Sequence, residues 1–119
     1  MEKKLLEVIT EQTNALMAAP SCCAQAKEAA GAWLAAVGTP DERAQTERYL
    51  AELEADIMPV DGLVAFTESP QGAAIFGADA ARQMAAHARA LKAAGALYCD
   101  CPACTASAAI LAKKEALLG

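Results

Sequence analysis

Three cysteines fall within one short run, "YCDCPACTAS", as Cys99, Cys101 and Cys104. The other two, Cys22 and Cys23, are adjacent in "PSCCAQ". Thiolates bind soft metals and attack electrophiles, so position decides what these residues can do. C-x-x-C at a turn-to-helix junction lets two thiolates grip one ion, and C-x-C adds a third. A further thiolate from Cys22 or Cys23 would complete an all-cysteine tetrahedral site. Such a site suits zinc first, with an iron–sulfur cluster or copper behind it. The expected metal ligands are therefore Cys22, Cys23, Cys99, Cys101 and Cys104. Adjacent cysteines seldom both reach one mononuclear ion, so one of the Cys22–Cys23 pair would otherwise be a packing thiol. All five could also bridge a polynuclear cluster or soft Cu(I).

Two rival chemistries use the same residues. "CPAC" resembles the C-P-x-C dithiol of glutaredoxin-like oxidoreductases, so Cys101 and Cys104 could serve as a redox or sensor pair. No βαβ pattern accompanies it, so that fold does not carry over. The third reading is a helical interaction module with incidental thiols, since free cysteine often packs as a small hydrophobe. That explains one or two cysteines better than three around one helix start.

Pro102 gives the run its structural meaning. Proline is favoured at the first helical position. Cys101 is then an N-cap, and Cys104 lies in the first turn. "PSCC" offers a second helix start with Ser21 as its cap. Thiols at helix N-termini meet free backbone N–H groups and a positive dipole end, which can lower their pKa from about 8.5 to roughly 3.5–7.5.

Other candidates carry less. His87 is the single histidine and lies mid-helix in "MAAHARALKAAG". It could ligate a metal or act as a base, but its expected role is that of a partly buried or exposed helix residue. Glu47, Glu52, Glu54 and Asp56 read as a solvated acidic face. No E-x-x-H pair, phosphate-binding loop or EF-hand spacing is present. No catalytic residue is assigned.

The elements that must position the cysteines are helical. The chain has 119 residues, 55% of them hydrophobic and only 4% aromatic, and alanine supplies much of the apolar share. Alanine forms helices readily and lets them approach closely, but buries little area. Helices are expected over about 2–18, 22–37, 40–58 and 78–94, and from Pro102 to Leu118. One or two short helices fall within "PVDGLVAFTESPQGAAIFG". Thr39 should cap the third helix, with Glu42 completing a capping box. The predicted core includes Leu5, Leu6, Ile9, Thr13, Leu16, Met17, Ala26, Trp33, Leu50, Leu53 and Ile57, with Val64, Phe66, Ile75 and Phe76 dipping in from the middle segment. The expectation is an all-α bundle of five to seven helices in a single domain over residues 1–119.

A formal net charge of -5 argues against nucleic-acid binding. No apolar run reaches membrane-spanning length, and "MEKKLLEVITEQTN" does not read as a secretory signal. A cytoplasmic location is expected, where clustered cysteines more often serve metals or redox chemistry than disulfides. An exposed alanine-rich face offers a surface for a protein partner or a homodimer.

With "APSCCAQAKEAAGAWLAAVG", "YLAELEADIMPVDGLVAF" and "AGALYCDCPACTASAAIL" in view, the chain resembles a group of small cysteine-containing, all-helical bacterial proteins, often labelled heat-shock molecular chaperones. The resemblance covers nearly the whole chain. It implies that the five cysteines belong together as a set.

Overall fold

The computed structural model describes residues 2–119, and among these every regular element is a helix. The helices are α1 (Lys3–Ala18), α2 (Ala24–Ala36), α3 (Glu42–Asp56), α4 (Val60–Thr67), α5 (Pro70–Phe76), α6 (Ala78–Ala93), α7 (Pro102–Leu111) and α8 (Lys114–Leu118). That is eight where the sequence predicts five to seven. The extra element comes from a break in the last predicted helix. Ala112 N–H bonds back to the Ala108 carbonyl and Lys113 N–H to that of Ile110, and Lys113 leaves helical geometry at φ -102°, ψ 12°. No helix among the described residues is long and apolar enough to cross a membrane.

The chain forms two compact units, one of residues 1–57 with 101–119, the other of residues 58–100. The first unit packs α1, α2, α3, α7 and α8 around one apolar cluster. Ile9, Thr13 and Leu16 line the inner face of α1 at helical spacing, with Leu5, Leu6 and Met17 half-buried beside them. Trp33 from α2 and Tyr49 from α3 are fully buried, their ring centroids 5.6 Å apart. Each such aromatic contributes on the order of 2–3 kcal/mol through burial.

Their polar ends are satisfied inside the core. Trp33 Nε1–H donates to Thr46 Oγ1 at 3.0 Å, and that hydroxyl donates to the Glu42 carbonyl at 2.7 Å. Tyr49 and Thr13 hydroxyls share a hydrogen bond of 2.8 Å. Burial pushes the Tyr49 phenol up to about 12. Among the described residues no buried side-chain polar atom lacks a partner. A core thin in aromatics thus gains specificity from two threonines placed where a valine would fit by shape.

The second unit packs α4 and α5 against α6. Ala81, Ala85 and Ala88 form the deepest stripe of α6, while Met84 and Leu91 are half-buried. Ser69 caps α5, its Oγ accepting the Gly72 N–H at 3.1 Å, with Pro70 at the first position. A Cβ on Gly72 would lie 2.3 Å from the Phe66 carbonyl oxygen, so only glycine allows this approach. Val64 and Phe66 are half-buried as expected, but Ile75 and Phe76 are 66% and 43% exposed. The seven-residue α5 is too short to turn both its small and its large residues inward. It buries Gly72, and Phe76 meets Phe66 edge-on at 6.1 Å. An isolated antiparallel bridge pairs Pro59 with Tyr98, with Val60 N–H bonded to Leu97 and Cys99 N–H to Met58.

Candidate metal centre

The start of α7 forms as the sequence predicts. Cys101 is the N-cap, with extended φ -62° and ψ 158°, and Pro102 follows at the first position. Cys101 Sγ accepts the Cys104 N–H at 3.3 Å. This is the geometry in which serine or aspartate usually caps a helix, with sulfur in place of oxygen. Two residues upstream, Cys99 is fixed through its backbone, its N–H bonding to the Met58 carbonyl at 2.8 Å.

The outcome is a triad. The Sγ atoms of Cys99, Cys101 and Cys104 all lie within 4.8 Å of one another, Cys104 buried and the other two half-buried. Thiolates around zinc, at about 2.3 Å from the ion, stand roughly 3.8 Å apart in a tetrahedral site. A contraction of at most about 1 Å would bring the triad onto an ion. All five cysteines stand as thiols rather than disulfides.

Cys22 and Cys23 are not members of this group. They precede α2 differently from the prediction. Cys23, not Ser21, takes the N-cap position, and its side chain makes no capping hydrogen bond. Ser21 reaches across to the other helix start, where its Oγ accepts the Ala103 N–H at 3.3 Å. Within the first unit the starts of α2 and α7 therefore do meet. The third helix departs in a similar way. Asp41 takes the N-cap position of α3, Thr39 Oγ1 accepts from Asp41 N–H, and Glu42 reaches the Gly38 N–H.

The meeting of α2 and α7 leaves a cavity of about 70 Å3, lined by Leu16, Ser21, Cys22, Cys23, Ala26, Asp56, Ile57, Ala103, Cys104 and Ser107. Three of the five cysteines thus face one cavity, and Cys104 belongs both to it and to the triad. Cys22 is buried, and burial pushes its thiol up, with the neighbouring Cys23 and Asp56 charges adding and Lys27 opposing. Cys23 is exposed, and its S–H donates to Asp56 Oδ2 at 3.3 Å. A hydrogen bond to Asp56 pushes the carboxyl of half-buried Glu52 up, with desolvation and the Asp56 charge adding.

Asp56 is a residue that sequence reasoning assigned to a solvated face. Nothing local marks it, because its partner Cys23 is 33 positions away. Ser107 carried a readable signal, since it lies three residues after Cys104 on the same face of α7. His87 is exposed, and its Nε2 pairs with Asp100 Oδ2 at 2.8 Å, next in sequence to two of the triad cysteines. It is not among the clustered ligand atoms.

No family model, curated protein or solved structure matches this chain.

Proposed function

We propose that this protein binds a thiophilic d10 cation, Zn(II) or Cu(I), through Cys99, Cys101 and Cys104. The observation that carries this reading is the gathering of three Sγ atoms within 4.8 Å in a C-x-C-x-x-C run. Soft thiolates select such ions over Mg or Ca, which take oxygen ligands. Three thiolates satisfy a trigonal Cu(I). They hold Zn(II) with its fourth position left for another ligand. Ion capture releases the thiol protons, and part of the binding energy becomes folding energy.

The test is elemental analysis of protein purified without oxygen. Near-stoichiometric zinc or copper is expected, with most of it lost in Cys101→Ser and Cys104→Ser. Metal-free, fully folded protein with two rapidly titrating thiols would overturn the reading and favour a Cys101–Cys104 redox dithiol.

A further inference from the structure

Cys104 is common to two thiol groupings. In one it stands with Cys99 and Cys101; in the other it lines a cavity with Cys22 and Cys23. A thiolate sulfur keeps lone pairs after binding one ion, so it can bridge to a second soft ion. Zinc in a closed tetrahedral site makes little use of this, whereas Cu(I) accepts two or three sulfurs and tolerates bridging. We propose that the cavity is a second Cu(I) position, held by Cys22 and Cys104, with Cys104 bridging to the ion of the triad. The proposal rests on the triad reading and extends it from one ion to a thiolate-bridged pair.

The surroundings suit an ion arriving from solvent. A cavity needs roughly 10–15 Å3 to admit one water, so about 70 Å3 is ample for a Cu(I) ion between two sulfurs. Cys22 and Cys104 are both buried, which protects a Cu(I)–thiolate unit from water and oxidants. Cys23 is the exposed thiol of the set, and it already donates a hydrogen bond to a carboxylate. It serves as the entry ligand. As a Cu–S bond forms on Cys23, the S–H proton passes to Asp56 and from there to water. When the ion moves inward, Cys22 releases its proton and Cys23 takes one back. The ion stays Cu(I) throughout, so no oxidant or reductant is consumed. Ser21 and Ser107 supply hydroxyls at the cavity wall that can donate hydrogen bonds to thiolate sulfur.

The experiment is an anaerobic Cu(I) titration of the full chain against a chromophoric Cu(I) chelator, with stoichiometry read by native mass spectrometry. Wild type should take up a second equivalent, and X-ray absorption of the loaded protein should show a short copper–copper vector. Cys22→Ser/Cys23→Ser should keep the first equivalent and lose the second, together with that vector. Cys23→Ser alone, at an exposed position, should keep both equivalents but load the second several-fold more slowly. A single equivalent in wild type, lost on Cys99→Ser/Cys101→Ser, overturns the second position and leaves the triad reading intact. Uptake unaffected by Cys99→Ser/Cys101→Ser overturns the triad reading, and with it the bridged pair. If the Cys22/Cys23 double variant does not fold, the wild-type stoichiometry and copper–copper vector decide.

Discussion

The Tyr49 phenol provides a quantitative test of the core beneath the candidate site. Its pKa is about 12 against an ordinary 10.0, with burial as the main cause. A raised folded-state value means that the unfolded chain ionises first as pH rises. Tyr49 therefore contributes full stability below pH 10 and loses it as pH climbs towards 12. A tenfold difference between the folded and unfolded acid constants is worth about 1.4 kcal/mol, so about 2 kcal/mol has gone by pH 12. Tyr49→Phe removes this dependence, but it also leaves the buried Thr13 hydroxyl without its 2.8 Å partner. That costs about 1–2 kcal/mol near neutral pH. The wild type should therefore be the more stable protein near neutrality, with an advantage that shrinks to zero or reverses by pH 12. Urea unfolding of both proteins across this range, with reductant and chelator present, measures the difference directly. Tyr98, the lysines and the thiols are common to both chains, so the comparison isolates Tyr49 and its coupling to Cys22. A difference that stays constant with pH would refute the reasoning, because the phenol would then be titrating as it does in water.

Two further predictions separate roles that coincide in one residue. Cys101→Ser keeps an N-cap oxygen for the Cys104 N–H, so metal-free stability should hold within about 0.5 kcal/mol while metal binding falls. Cys101→Ala should lose both the ion and about 1 kcal/mol of stability in chemical denaturation. Gly72→Ala should destabilise the unit of residues 58–100 by about 2–3 kcal/mol, because its new methyl meets the Phe66 backbone oxygen rather than a movable side chain. Hydrogen exchange of α4 and α5 should report it, and unchanged protection there would refute it.

What the sequence revealed was local chemistry. Pro102 after a cysteine located the α7 cap to the residue, and helical spacing placed Ile9, Thr13, Leu16, Trp33 and Leu53 in the core. What it hid depended on distant partners. Ser21 precedes a good helix and reads as its cap, yet it caps a helix 82 residues further on, at Ala103. Asp56 looks like one acid among several until the fold sets it against Cys23. Ile75 and Phe76 carry core-like side chains, but the short α5 buries its glycine face instead. The break at Lys113 was hidden for a different reason. Lysine is a good helix former, so no propensity signal marks it.

The division of the chain has a consequence for the order of assembly. Residues 58–100 interrupt the unit that contains Cys22, Cys23, Cys101 and Cys104. Bringing the two parts of that unit together closes a long excursion, at an entropic cost of about 3 kcal/mol. During synthesis, residues 58–100 emerge as one continuous stretch and can condense by themselves. Cys22 and Cys23 leave the ribosome long before α7 does, and they have no cavity to line until it arrives. The thiol environment is thus a late product of folding. A nascent chain carries Cys22 as bare as Cys23, and the burial of Cys22 is the signature of a finished molecule.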